Sequence, residues 1–366
     1  MKKVISAGHI CLDITPVFPA GKQYDRISSL LVPGKLIQME AADVHTGGSV
    51  ANTGLALKLL GCDVTLMGKV GDDALGMMIR NILARYGAGG LLVDPGSSTS
   101  YSVVLAVPGM DRIFLHSPGA NDTFSGADIP DDSLEDAALF HFGYPPLMKH
   151  TWENDGEELV TLFRRVKEKG IATSLDLAAV DPRSPAGQAD WERILSGVLP
   201  WVDFFVPSFE ELCWMLDRER YDRLASAGGD MTDRLDMETE ALPLAEKLLS
   251  MGCRIVMIKC GTSGMLLRTA GKKTVAGVGS RLELDADEWC DQLVYQPSFK
   301  ADIVRSATGA GDTSIAAFLA AVLSGRKPSS CIALASAEGA CCVTAYDALS
   351  GLKPLDELEE RIRKGW

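Results

Sequence analysis

From residue 137 onward, short apolar runs alternate with longer amphipathic segments that end at glycine, and this alternation constrains the fold more than any other feature. Residues 139–143, 171–176, 203–207 and 254–259 read as strands. Residues 157–169 read as a helix stopped by Gly170, 210–216 begin another, and 242–251 form a third stopped by Gly252. Strands that are apolar throughout suit a sheet covered on both faces, and parallel neighbours need crossover helices between them. The rhythm therefore predicts an α/β fold, with a mainly parallel sheet flanked by helices.

The N-terminal part is built differently. Residues 4–13 read as a first strand that delivers Asp13 at its end. Residues 14–46 carry Pro, Gly and alternating apolar positions without helical period. The pair Gly47-Gly48 then opens a helix-like run ending at Gly61, a suitable C′ residue. A strand at 64–67 and a helix at 74–86 follow. Residues 99–116 read as a hairpin turning at Pro108-Gly109-Met110-Asp111. Two stretches, 217–240 and 271–299, break the rhythm and are expected to be surface insertions within a single domain spanning 1–366.

Charge and cysteine usage narrow the partners. A net charge of −13 repels phosphate backbones and anionic lipid, so neither nucleic acid nor membrane is expected as a partner. A nucleotide is still admissible, because backbone N–H groups at a helix N-terminus hold phosphate without net positive charge. Nine cysteines with no C-x-x-C pair point to a reducing, cytoplasmic setting rather than a disulfide framework or a zinc site. No apolar run approaches the ~20 residues of a membrane span. The first apolar segment, interrupted by His9 and ended by Asp13, reads as a buried strand, too short in its apolar core for a signal sequence. The five histidines (His9, His45, His116, His141, His150) show no metal-ligand spacing and are assigned no chemistry.

The segment that carries chemistry is Thr308-Gly309-Ala310-Gly311-Asp312-Thr313, a glycine-rich turn opening into a small-residue apolar helix. Glycines let backbone N–H groups converge, and the helix N-terminus adds positive potential. Together they form an anion hole suited to a transferring phosphoryl group. Asp312 at its lip can take the proton of an attacking hydroxyl, or it can be a helix N-cap. No G-x-x-x-x-G-K-[ST] exists for a P-loop, and the first strand lacks G-x-G-x-x-G for a dinucleotide.

With these residues the chain resembles the PfkB (ribokinase-like) carbohydrate kinases over nearly its whole length. Residues 308–312 match the second half of their D-T-T-G-A-G-D signature. Gly47-Gly48-Ser49-Val50-Ala51-Asn52 matches their Gly-Gly-x-x-Ala-Asn element. The resemblance implies a three-layer α/β/α ribokinase-like fold with a small β lid from parts of 14–45 and 97–118. It implies a kinase that uses ATP and Mg2+ to phosphorylate a hydroxyl of a small sugar, with Asp312 as base and Gly309, Ala310 and Gly311 as the anion hole. Asp13, Gly47, Gly48, Asn52 and Asn121 would hold the acceptor. Lys259-Cys260-Gly261-Thr262-Ser263-Gly264 resembles the T-x-G-x-x-G loop on which the nucleotide lies, placing Lys259, Gly261, Gly264, Thr308 and Ser208 at the nucleotide and Glu211 at magnesium through water.

Several positions keep two readings. Asp13 is either an acceptor ligand or a turn residue before Pro16, and Asn52 either a ligand or a polar helix residue. Lys259 is a phosphate contact or a solvated charge at a strand end. Tyr144-Pro145-Pro146 lines the pocket or packs the core. The chain also departs from the family pattern. Ser306 and Ala307 replace the signature's first Asp-Thr, which puts a monovalent-cation site in doubt. Ser208 replaces the Asn of N-x-x-E, and Ala178 that of D-x-N. Ser49 stands where ribokinase carries Lys, which leans toward a fructokinase-like acceptor. A nucleoside kinase of the same family and a non-catalytic sensor on this scaffold are the alternatives; retention of Gly309–Asp312 argues against the sensor. Lid strands of the family also pair between subunits, so a homodimer is implied.

Overall fold

The computed structural model describes residues 2–19, 21, 24, 26–110, 112–233 and 235–366. Asp111, expected in the hairpin turn, lies outside them. Strands in chain order begin with β1 (Lys3–Gly8), β2 (Cys11–Pro16), β3 (Ala42–Gly47), β4 (Asp63–Met67), β5 (Lys69–Gly71) and β6 (Leu92–Asp94). They continue with β7 (Tyr101–Leu105), β8 (Ile113–Ser117), β9 (Ala137–Gly143), β10 (Ala172–Leu175), β11 (Phe204–Phe205), β12 (Ile255–Lys259), β13 (Met265–Thr269) and β14 (Leu293–Gln296). The helices that matter here are α1 (Ser49–Leu59), α2 (Ala74–Arg85), α3 (Glu157–Glu168), α4 (Trp191–Val198), α5 (Phe209–Leu216), α6 (Leu242–Ser250), α7 (Ala310–Leu323) and α8 (Pro328–Cys342).

The main sheet has eight strands in the order β14-β13-β12-β11-β10-β9-β1-β4. It is parallel from β4 to β12, and β13 and β14 run antiparallel at one edge. Successive side chains of a strand point to opposite faces. Here both faces are apolar, so each strand feeds two cores. Val4, Leu139, Phe204 and Ile255 face α1, α7 and α8, while Ile5, Phe140, Phe205 and Val256 face α3, α4, α5 and α6. Cutting Phe204 to alanine would leave a cavity costing about 3–5 kcal/mol, because it packs edge-on against both Trp289 and Phe318.

A second sheet, β3-β2-β7-β8, stands apart from the first and is mostly antiparallel, with β2 and β7 parallel. The two-residue link between β1 and β2 joins the sheets, so the C-terminal end of β1 and the start of β2 bracket the space between them. No helix among the described residues is long and apolar enough to cross a membrane. All nine cysteines are free thiols.

The two stretches expected to be surface insertions are placed differently from one another. Residues 271–299 are not a surface insertion: Val275 and Trp289 are buried, and β14 closes the edge of the main sheet. The helices there are single turns, Lys272–Val275 and Ala286–Trp289, too short to leave a helical period. Residues 217–240 do carry an exposed helix, Arg218–Ser226, but the segment returns onto the loop after β12. Ser263 Oγ donates to Thr232 O at 2.6 Å and accepts from Leu235 N at 3.0 Å.

Candidate active site

The turn before α7 is shaped by its own side chains. Ser306 Oγ accepts from Thr308 N at 3.1 Å and donates to Thr308 Oγ1 at 3.0 Å. Gly309 follows at φ 76°, and a Cβ there would stand 2.2 Å from the Cβ of Ala348. Only glycine fits this position. Gly309 is also the N-cap of α7, and no side chain among the described residues caps the helix. Ala310 N–H bonds Ala307 O, and the N–H groups of Gly311 and Asp312, lacking i−4 partners, are presented toward the space in front of the helix.

Asp312 does not cap its helix. Its carboxylate is 4 % exposed as a residue and faces α1 and the end of β9. Asn52 Nδ2 donates to Oδ2 at 3.0 Å, Tyr144 OH donates to the same oxygen at 2.8 Å, and Thr53 Oγ1 donates to Oδ1 at 3.1 Å. A carboxylate offers about four lone-pair positions. Three are filled here, which leaves one on Oδ1.

Tyr144 reaches Asp312 because its backbone is left-handed, at φ 69°. Such a conformation costs a non-glycine residue of order 1–3 kcal/mol and is retained where the surroundings over-determine it. Burial, reinforced by the Asp312 and Asp176 carboxylates, pushes the Tyr144 phenol well above its ordinary value, so it remains a donor. Of the two readings of residues 144–146, the tyrosine lines the site, while Pro145 and Pro146 are buried behind it.

Asp13 lies across from Asp312, on β2. Cys11 Sγ donates to Asp13 Oδ1 at 3.2 Å. Burial pushes Asp13 up, and the hydrogen bonds from Cys11 and Ser102 pull it back. The two glycines before α1 are required by close approach. A Cβ on Gly47 would stand 2.2 Å from Asp13 Oδ2, and one on Gly48 (φ 85°) 2.6 Å from His9 Nδ1. Asn121 is the exception among the expected acceptor residues. It is fully buried, and its amide is spent on backbone: Nδ2 donates to Ile10 O and Pro118 O, and Oδ1 accepts from Ile10 N. It fixes the link between β1 and β2 rather than facing the space beside Asp312.

The nucleotide-side residues cluster at the end of β12. Lys259 is not a solvated charge: its side chain is 12 % exposed and its Nζ lies 2.8 Å from Asp176 Oδ1. A Cβ built on Gly311 would be 3.6 Å from that Nζ, so the ammonium lies against the anion-hole turn. Burial pushes Asp176 up to about 8, against the pull of Lys259. Burial would also lower Lys259, but Asp176, Glu211 and Asp312 outweigh it and hold the amine above its ordinary value. A lysine facing three carboxyl groups keeps its proton. Ser208 bridges to Lys259 as an extended residue and starts α5 with a capping box, in which Glu211 Oε2 accepts from Ser208 N at 2.8 Å. Gly261 and Gly264 sit at φ 51° and 104°, each with a Cβ position blocked at 2.2 Å, by Thr232 and by Gln296 O respectively.

Three side chains escaped sequence reasoning. Arg112, from the start of the β8 hairpin arm, donates to Thr308 Oγ1 and so connects the small sheet to the turn before α7. His9 and His116 meet at 3.4 Å between their Nε2 atoms, 107 residues apart in the chain. His141, by contrast, is a core residue: Ser49 and Ser174 hydroxyls bond its two nitrogens, and burial lowers it to about 3.

Among the described residues, no group of three or more His, Cys, Asp or Glu could hold a metal directly. Glu211, anchored by its capping bond beside Lys259 and Asp176, suits contact through water to a metal carried on phosphate. The monovalent site does not fit. Ser306 replaces the acid. The Cys342 thiol, pushed up to about 12 by burial, donates to the carbonyls of Thr308 and Ala348 at 3.5 and 3.6 Å, and so engages the oxygens beside this turn.

The family model described as "pfkB family carbohydrate kinase" matches residues 3–354. An uncharacterized sugar kinase of Archaeoglobus fulgidus is 26% identical over 81% of this chain and 98% of that protein. A probable fructokinase-4 of Arabidopsis thaliana is 22% identical over 98% of this chain and 96% of its own. Among solved structures, Arabidopsis thaliana ribokinase complexed with ribose and ATP superposes at TM-score 0.70, with 19% identity and 98% of each chain covered. Fructokinase with bound ATP from Xylella fastidiosa also superposes at 0.70, with 20% identity over 99% of this chain and 98% of that one. These structures share the fold of this chain. The family match over nearly the full length places the protein: the chain belongs to the pfkB family of carbohydrate kinases.

Proposed function

We propose that the protein transfers the γ-phosphoryl group of ATP to a hydroxyl of a small sugar held between Asp13 and Asp312. One observation carries this reading. The Asp312 carboxylate is fixed by three donors with a single lone pair left on Oδ1, at the mouth of an uncapped helix N-terminus. A base and an anion hole thus share one small space.

The acceptor hydroxyl donates to the remaining Oδ1 lone pair, and its oxygen attacks phosphorus in line. Charge on the transferring group meets the first-turn N–H groups of Gly311 and Asp312 and the Lys259 ammonium beside them. The new O–P bond forms as the bond to ADP breaks, and the acceptor's proton ends on Asp312. Gly47, Gly48 and Asn52 shape the acceptor side; Thr308, Ser208, Gly261 and Gly264 border the nucleotide. Magnesium, reached by Glu211 through water, would neutralise phosphate charge. The four-stranded sheet acts as a lid that excludes water, a competing acceptor.

The test is ADP release from magnesium–ATP across ketoses, aldoses, polyols and nucleosides. Acceptor-dependent release with a sugar is the expected result. Release with nucleosides alone would replace the sugar by the sibling acceptor class, and silence across the panel would refute the kinase reading.

A further inference from the structure

A chain of polar side chains runs from the body of the protein through the small sheet to Asp13. His9, in the link between β1 and β2, meets His116 of β8 through their Nε2 atoms at 3.4 Å. His116 Nδ1 lies 3.0 Å from Ser102 Oγ on β7. Ser102 is paired in register with Asp13, and its Oγ lies 3.9 Å from Cys11 Sγ, the thiol that bonds the carboxylate. The proposed mechanism uses neither histidine nor Ser102.

The direction of this chain follows from what each group can donate. Asp13 as a carboxylate only accepts, so the Cys11 thiol spends its one hydrogen on Asp13 Oδ1. Toward Ser102 the Cys11 sulfur can then only accept, so the Ser102 hydroxyl donates to it. A hydroxyl has one hydrogen, so toward His116 Ser102 can only accept, and His116 Nδ1 carries the proton. A neutral imidazole has one N–H, so His116 Nε2 is an acceptor and His9 Nε2 is its donor. His9 Nδ1 is then bare. That end of the chain is where the structure is independently informative: His9 Nδ1 is buried and has no partner among the described residues. A bare buried acceptor is tolerated more readily than a stranded N–H. Burial lowers both imidazoles, His9 further through its neighbour His116, so the neutral forms that the chain requires are the ones present.

We infer that His9, His116, Ser102 and Cys11 form a one-way hydrogen-bond relay that orients Asp13 for the acceptor only when the small sheet is seated on the body. This rests on the reading of Asp13 as the acceptor-holding carboxylate. His116 and Ser102 are positioning residues, acting through Asp13. The relay crosses from the main body to the small sheet at one point, the His9–His116 contact. At 3.4 Å it is the longer of the two histidine links, and so the first to open when the sheet lifts. The tyrosine ring of Tyr144 stands 5.8 Å from His9 by centroids, placing Asp312 next to the same contact. The relay would thus couple acceptor capture to a closed site.

The experiment has two arms on the full chain. Long-range proton–nitrogen spectra of 15N-histidine-labelled protein report tautomers directly. The expected pattern is Nδ1–H for His116 and Nε2–H for His9, and any other combination overturns the relay, whatever the enzyme turns over. The second arm is kinetic, using the sugar identified in the acceptor panel. Ser102→Ala should raise the acceptor KM about ten-fold, the effect of losing one hydrogen bond from the chain that holds Asp13. The KM for ATP should stay within about two-fold, and Ser102→Thr, which keeps the hydroxyl, should restore the acceptor KM. An unchanged acceptor KM in Ser102→Ala overturns the inference. A silent acceptor panel instead overturns the kinase reading and leaves the tautomer arm to decide the relay.

Discussion

Asp312→Asn is the substitution whose outcome the geometry specifies most closely. The amide matches the carboxylate in shape, so the question is which atom replaces which oxygen. Two donors, Asn52 Nδ2 and Tyr144 OH, converge on Oδ2. An amide nitrogen there would face two N–H or O–H groups, so the amide oxygen takes that position. The nitrogen then stands in place of Oδ1, facing Thr53, whose hydroxyl can rotate to accept. The network closes, but the one lone pair offered to the acceptor hydroxyl has become an N–H.

The variant should therefore fold, bind ATP as the wild type does, and fail at proton removal. Loss of a positioned general base costs about 10²- to 10⁴-fold in kcat, or about 3–5.5 kcal/mol of barrier. Stability should shift by no more than about 1 kcal/mol: three bonds to a charge weaken, while the cost of burying that charge disappears. The assay is ADP release at saturating acceptor and ATP, with ATP binding measured by calorimetry and unfolding by urea. A kcat within about three-fold of wild type would refute the lone-pair argument and remove Asp312 from the role of base.

Three other outcomes follow from the same geometry. Lys259→Met should lower kcat/KM for ATP at least ten-fold. At pH 6 it should still fold, because Asp176, pushed to about 8 by burial, is protonated there and leaves no unpaired buried charge when its partner is lost; a variant unfolded at pH 6 would show the pair to be structural instead. Gly47→Ala should raise the acceptor KM and leave the KM for ATP alone, since its Cβ, 2.2 Å from Asp13 Oδ2, must displace that carboxylate; equal effects on both substrates would contradict this. Glu338 is fully buried in α8 and pushed up to about 8 by burial, against an ordinary 4.5. Between those values the folded state holds a proton that the unfolded chain has released, so stability falls as pH rises, by at most about 1.4 kcal/mol per pH unit. Glu338→Gln should flatten that slope in urea titrations at pH 5.5 and 8, and an unchanged slope would place the titrating group elsewhere.

The strands and helices were legible wherever burial is two-sided. Phe204-Phe205 and Ile255-Val256 send successive side chains into different cores, which is why their runs are apolar without alternation. The glycine-rich turn was legible because Gly309 answers to steric demands that few sequences satisfy. Legibility failed where elements are a single turn long. Residues 271–299 hold two such turns and an edge strand, so no period of 3.6 or 2 runs long enough to be seen, although Trp289 is as buried as any core residue.

The site itself divides along a physical line. Asp312, Asn52, Gly47 and Gly48 carry their function in local conformation, a helix terminus or a turn, and such residues leave a contiguous pattern. Asn121 also sat in a local pattern, yet its amide is consumed by the backbone of the β1–β2 link, because a buried amide takes whatever partners surround it. Lys259 looked solvated because a charge ending an apolar strand usually is; what buries it is Asp176, at the end of β10, on a strand paired to β11 and not to its own. His9 and His116 are the limiting case. Each is one imidazole in an apolar or mixed run, and their meeting depends on how far the small sheet closes over the large one. Sequence spacing encodes neighbours along an element and, through strand order, neighbours across a sheet. The angle between two sheets is set by packing at their hinge, so contacts made only by that closure are the last part of a site that a sequence can reveal.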